Sequence, residues 1–405
     1  MEKYFNEIVR HISEIVKFDS SLSPRIGDMP FGKGAKDSLD YFLDLAKKFG
    51  FETRNYDNYV GEVIFGEGEE IAILAHLDVV PATGAWEHEP FGGEIDADRI
   101  WGRGTTDDKG PAIICLFCLK ALKDEGFQPN KKIKLIVGCN EESGWKCIEH
   151  YNKVAHMPEI GFSPDANFPV IYAEKGILHY TVSYKIENAP FTDLHGGIAA
   201  NAVCDRCEAT MNGEKTVALG KSAHASMPHL GDNAILKLLK RFDHPTTNLI
   251  VKELFEESYG IREMHDETGN LTMSPDVVSY ENGALTFTVD VRYPSTHSFE
   301  EVKSYLDKLS GDVKILSHQP PLFNDKNSYL ISTLTRLYNE EIGENVAPLA
   351  IGGGTYARAL KCGAGFGPEL PGEDYHIHEP NEFISFKAIR FCMNLYHKTI
   401  RELSK

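Results

Sequence analysis

Two short, almost unbroken apolar runs, Ile71 to Ala75 and Ile133 to Val137, constrain this chain more than any other feature. Between them, from Pro111 to Lys123, Ile113, Leu116, Phe117 and Leu119 recur with the spacing of a helix, opened by Gly110 and closed by Gly126. A strand that is apolar on both faces has to be covered on both, and strand, helix, strand is how a parallel sheet achieves it. The pattern predicts an α/β unit with a mixed, largely parallel sheet flanked by helices. Glu62 to Phe65, followed by Gly66-Glu67-Gly68, is expected to form a hairpin with the first apolar run.

After Glu174-Lys175-Gly176 the texture changes. Leu178 to Tyr184 and Thr286 to Arg292 alternate apolar with polar residues, as in an antiparallel sheet with one wet face. From Leu330 to Tyr338 the helical spacing returns, and Ile351 to Gly354 followed by Thr355 to Leu360 reads as a glycine-rich turn into a short helix. These shifts predict a discontinuous first domain, 1–176 and 318–405, interrupted by an inserted α+β domain, 177–317.

The balance of charge narrows the function. With 60 acidic against 42 basic residues, a net −18, the chain repels a phosphate backbone, so nucleic acid is excluded as the expected partner. No apolar run reaches the ~18 residues of a membrane span, and the N-terminus spaces Phe5, Ile8, Val9 and Ile12 as a helix face rather than a signal peptide. Eight cysteines, several inside apolar segments, read as reduced core thiols; the pairs Cys115/Cys118 and Cys204/Cys207 are the alternative, a structural zinc site. A cytoplasmic location is the expectation.

Five short stretches carry the chemistry. His76 and Asp78 follow the first apolar run on the same side of the strand, where a carboxylate can fix the tautomer of a metal-binding imidazole. Gly102 to Gly110 is a glycine-framed loop holding Asp107 and Asp108 at the start of the predicted helix. Glu141 and Glu142 close the second run, so that one can bind a metal while its neighbour acts as a base. Asp165 follows Phe162-Ser163-Pro164, and His376 and His378 lie near the C-terminus. Singly, these are also what helix caps and solvated acidic turns look like.

Taken in order, the stretches resemble the di-zinc peptidases and deacylases that include aminoacylase, carboxypeptidase G and succinyl-diaminopimelate desuccinylase. Within that family the likeness is to the PepV-type dipeptidases, through Pro30 to Gly34, His76 to Pro81, Gly102 to Pro111, Glu141 to Gly144, Ser163 to Pro169 and Gly352 to Arg358. The resemblance implies two divalent ions, zinc first, with manganese or cobalt also suited to such ligands. His76 and Asp165 would hold one and Glu142 and His378 the other. Asp107 would bridge them, with Asp108 the less favoured choice. Glu141 would be general base and acid, with Asp78 orienting His76.

In the inserted domain, a lid in that family, the resemblance implies that His224 stabilises an oxyanion and that Arg292 and Asn201 bind a substrate carboxylate. Gly353 and Thr355 would add contacts from the glycine-rich turn. The expected activity is hydrolysis of short free peptides, dipeptides first; the alternative is deacylation of N-acyl amino acids. Two departures stand out. The inserted domain is shorter than in PepV-type relatives, which leaves a homodimer open, and Cys204 stands where many relatives carry proline.

Overall fold

The computed structural model describes residues 1–256 and 258–405. The chain forms two compact units: Met1–Tyr172 with Asn324–Leu349 and Thr355–Lys405, and Ala173–Phe323 with Ala350–Gly354.

In the first unit a mixed sheet runs in the order Glu52–Tyr56, Val60–Phe65, Lys132–Gly138, Glu70–His76, Ile160–Ser163, Cys362–Phe366, Val170–Glu174. The four consecutive strands from Lys132–Gly138 to Cys362–Phe366 are parallel. Both apolar runs lie within these strands, with Ile73, Leu74, Leu135 and Ile136 buried. The predicted helix between them spans Lys109–Asp124, and it packs on Phe5–Val16 and on the C-terminal helix Phe386–Leu403. A small sheet, Glu94–Ile95, Arg99–Trp101 and Phe383–Ser385, ties the loop after Trp101 to the loop before Phe383, with Ile100 opposite Ile384.

The expected hairpin does not form. Lys132–Gly138 lies between Val60–Phe65 and Glu70–His76, antiparallel to the first and parallel to the second. The turn glycines are real, with Gly66 at φ +88, but their purpose is different. A Cβ on Gly66 would meet Pro129 Cγ at 2.5 Å and the Lys131 carbonyl oxygen at 2.6 Å, so the glycine makes room for the strand that enters between.

The second unit is built on a fully antiparallel sheet ordered Glu214–Leu219, Arg206–Met211, Asp193–Gly196, Thr272–Glu281, Ala284–Tyr293, Gly176–Lys185, Asp312–Gln319. Burial alternates along Gly176–Lys185, where Leu178, Tyr180, Val182 and Tyr184 enter the core and the residues between them are partly exposed. Ala234–Leu239 is capped by the Asn233 side chain, and Phe299–Leu306 begins with a Ser298/Glu301 capping box. The antiparallel sheet inferred from the alternating stretches is therefore present, separate from the mixed one.

Candidate active site

The parallel strands end on one side of the first unit, where open α/β sheets present ligand sites. His76 is the last residue of Glu70–His76; Glu141 and Glu142 come just after Lys132–Gly138, and Asp165 just after Ile160–Ser163. Asp107 and Asp108 arrive on the loop after Arg99–Trp101, and His378 on the loop before Phe383–Ser385, joined through the small sheet.

These side chains converge. Asp107 lies between the two histidines, one carboxylate oxygen 2.9 Å from His76 Nε2 and the other 2.8 Å from His378 Nε2. His378 Nε2 is also 3.1 Å from Glu142 Oε1, and Asp165 Oδ2 is 3.8 Å from His76 Nε2. Ligand-type atoms of His76, Asp107 and Glu142 all lie within 4.8 Å of one another, as do those of His76, Glu141 and Asp165. His376 is elsewhere, beside Glu379 and against the Phe383 ring.

Asp78 braces the site in two ways. Its carboxylate accepts the backbone N–H groups of Glu141, at 2.9 Å, and Glu142, at 3.1 Å. His76 Nδ1 faces the Asp78 main-chain carbonyl at 3.0 Å and its carboxylate at 3.6 Å. The nearer partner of the imidazole is thus backbone, not the side chain inferred from the spacing. Asp108 turns away from the cluster centre: one oxygen accepts the His76 backbone N–H at 3.1 Å, and the other is buried with no partner.

Charge in the cluster is out of balance. Burial and the charges of Asp107, Asp165 and their neighbours push Glu141 and Glu142 above the usual carboxylate range, and burial with Asp107 lifts Asp165 to about 7. Burial opposes charge on His76, and partial burial does so on half-exposed His378, yet their hydrogen bonds to Asp107 raise both, His378 to about 11. Fully ionised, four carboxylates against two imidazolium rings would leave surplus negative charge in a largely covered cluster, and a set of nitrogen and oxygen donors at this spacing fits divalent cations.

Sequence reasoning assigned no role to the residues that hold the loop. Buried Glu382 accepts the backbone N–H groups of Gly104, Thr106 and Asp107, and Arg103 Nη1 at 2.7 Å. It lies four residues after His378, where neighbouring polar residues mask its role. Trp145 is the other omission; its indole Nε1 donates to Glu141 Oε1 at 3.1 Å.

The second unit holds its own candidates. An isolated bridge pairs Ala202 with His224, and the Ala225 N–H donates to the Asn201 carbonyl, so Asn201 and His224 are neighbours, both exposed. Arg292 is 5% exposed and turns Nε and Nη2 onto Asp290, at 2.8 and 2.9 Å to its two oxygens; His179 Nε2 lies 2.9 Å from the same carboxylate. Gly353 falls in the segment Ala350–Gly354 of that unit. Thr355, in the first unit, caps the short helix Tyr356–Ala359 through its hydroxyl.

Among the described residues, no helix is long and apolar enough to cross a membrane. All eight cysteines are free thiols, seven of them buried, and neither C-x-x-C pair belongs to a cluster of metal-type ligands among the described residues.

Comparison with known proteins agrees with this architecture. Residues 72–402 match the model of peptidase family M20/M25/M40. The chain is 32% identical to a beta-Ala-Xaa dipeptidase of Lactobacillus delbrueckii subsp. lactis, over 98% of this chain and 96% of that protein. It is 30% identical to the putative dipeptidase YtjP of Bacillus subtilis, over 98% and 97%. Among solved structures, the di-peptidase Dug1p of Saccharomyces cerevisiae superposes with a TM-score of 0.65 at 15% identity, covering 100% of this chain and 97% of that one. The aminoacylhistidine dipeptidase of Vibrio alginolyticus gives 0.64 at 13% identity, covering 98% and 96%. At those identities the likeness is one of fold.

Proposed function

This chain belongs to peptidase family M20/M25/M40 and is a metal-dependent peptidase, and from that premise we propose that it cleaves free dipeptides at a centre of two divalent ions, zinc first. The observation that carries the reading is Asp107, whose two oxygens face His76 and His378 from opposite ends of one carboxylate. In this reading His76 and Asp165 would hold one ion and Glu142 and His378 the other, with Asp107 contributing to both. Two such ions would make a water more acidic and polarise the carbonyl of the bond to be cut.

The remaining work falls to the protein's own groups. Glu141 takes the proton of the attacking water on a carboxylate oxygen and returns it to the leaving amine nitrogen. Its partly buried position beside other carboxylates favours holding that proton. Asp78 fixes the backbone of Glu141 and Glu142 and faces His76 Nδ1, setting base and ligand in one frame. For the second unit we assign the dipeptide's C-terminal carboxylate to Arg292 and Asn201 and the developing oxyanion to His224. Gly353 and Thr355 complete the assignment as substrate contacts.

Dipeptides are preferred as substrates because the full-length relatives at 30% identity or more carry dipeptidase names. A cytoplasmic location is supported by the eight unpaired cysteines. A homodimer is included because the resemblance implies a shorter inserted domain than in PepV-type relatives; sedimentation at the mass of one chain would remove it.

The test is a panel of dipeptides, a tripeptide and N-acetyl and N-succinyl amino acids, with zinc, manganese or cobalt, comparing wild type with Glu141→Ala. Metal-dependent cleavage of dipeptides that the variant lacks is the expected result. Cleavage of acylated amino acids alone would replace the dipeptidase reading with a deacylase.

A further inference from the structure

Trp145 occupies a position that a large side chain rarely takes. Its backbone lies at φ 60, ψ 19, the left-handed region, at the N-terminus of the helix Lys146–Val154. Asn140 holds it there: the Asn140 carbonyl accepts the Trp145 N–H at 2.9 Å, and its side-chain oxygen accepts the Lys146 N–H at 3.1 Å. The same side chain donates to Ser143 Oγ at 2.8 Å, which closes the turn carrying Glu141 and Glu142. Strained backbone kept by several hydrogen bonds beside a reactive group points to a use for the side chain.

That side chain is directed at the proposed base. The indole Nε1 donates to Glu141 Oε1, and the ring stands edge-on to buried Tyr356, centroids 5.3 Å apart at 83°. Tyr356 is itself edge-on to His76 at 6.1 Å, and its hydroxyl lies 3.2 Å from Cys147 Sγ. The indole is therefore fixed on one side by the aromatic wall behind His76 and on the other by Glu141. A glutamate carboxylate otherwise turns freely about its last torsion, exchanging its two oxygens.

We propose that Trp145 is a positioning residue for the hydrolysis: by holding Oε1 of Glu141 it presents Oε2 as the oxygen that receives and returns the proton. This rests on the reading of Glu141 as the base. A base held in one orientation loses less on reaching the transition state, so the contribution falls on kcat rather than on substrate binding.

Trp145→Phe removes the N–H while keeping an aromatic ring against Tyr356. It is expected to lower kcat for a dipeptide roughly ten- to hundredfold, the range for a hydrogen bond to a charged group. KM should stay within about twofold, and the zinc content of the purified protein should be unchanged. An unchanged kcat would overturn the inference, and so would a kcat loss that tracks loss of zinc, because the residue would then merely support the fold of the site.

A second measurement needs no activity. The chain has three tryptophans, so an amide-type proton–nitrogen spectrum shows at most three indole signals, and the one missing in Trp145→Phe is Trp145. That signal is expected to move in Glu141→Ala while the other two stay; an unmoved signal would show that the contact is absent. If Glu141→Ala keeps its activity, the base assignment itself fails. If it is inactive while Trp145→Phe turns over like wild type, only the role of Trp145 fails.

Discussion

The two sheets solve different problems. The strand Glu70–His76 is buried from Ile71 onward on both faces, whereas Gly176–Lys185 buries every second residue and leaves the others partly exposed. The residues each carries differ accordingly. His76, Asp107 and Asp165 are placed by parallel strand ends and by a loop tied down at Glu382, while Asn201 and His224 stand exposed on a single isolated bridge. A buried scaffold can hold surplus charge in place until cations neutralise it; an exposed loop pair suits groups that meet a ligand and let it go.

The comparison breaks first at the base. Glu141→Ala should cost about 10²–10⁴ in kcat, the usual worth of a positioned acid–base group, with both ions still bound; a variant that also lost metal would make Glu141 a ligand. Next is the scaffold itself. Ile73→Ala, at a fully covered position, should destabilise by about 2–5 kcal/mol in denaturant unfolding, and a smaller loss would show that the parallel core is not the rigid partner.

A step lower, Arg292→Ala should raise KM for a dipeptide roughly ten- to hundredfold with kcat much less affected; a pure kcat effect would remove Arg292 from carboxylate binding. Its embedding favours the test, since Asp290 already orients the guanidinium through two nitrogens.

The cluster's protonation supplies a finer probe. In metal-free protein, Glu141, Glu142 and Asp165 titrate above their ordinary range because of burial and like charge, and His76 and His378 are raised by Asp107 despite burial. Each of these groups binds more protons folded than unfolded, the carboxyls from about pH 4 upward and the imidazoles above about pH 6.5. Stripped protein should therefore lose stability as pH rises from about 5 to 9. Added zinc competes with those protons, so its gain in melting temperature should grow over the same window. Thermal melts at three pH values with and without zinc would show it, and a stripped protein most stable at alkaline pH would contradict it. Smallest of all, Thr181→Ala on the half-exposed face of the antiparallel sheet should change stability by less than about 0.5 kcal/mol.

How much was legible in the sequence follows from the range of the interactions. The runs at Ile71 to Ala75 and Ile133 to Val137, the helix between them and the alternating strands are local patterns, and each lies inside an observed element: Glu70–His76, Lys132–Gly138, Lys109–Asp124, Gly176–Lys185 and Ala284–Tyr293. Strand pairing is not local. Val60–Phe65 and Glu70–His76 sit close in the chain with glycines between them, yet Lys132–Gly138 pairs with both, because two strands buried on both faces compete for the sheet's interior. His76, Glu141, Glu142 and Asp165 could be found because each ends or follows a strand, and Asp107 because it sits in a glycine-framed loop, whereas His378 is separated from His376 only through the family resemblance. Glu382, Trp145 and Asp290 could not, since their work is to hold other residues, and nothing in a single sequence distinguishes a glutamate that braces a loop from one that faces water.

The most direct measurement is a zinc titration of stripped protein, following bound metal and dipeptide hydrolysis together. The account predicts that activity rises from zero and levels off at two ions per chain. Hydrolysis by the metal-free protein, or saturation without any bound divalent ion, would contradict it.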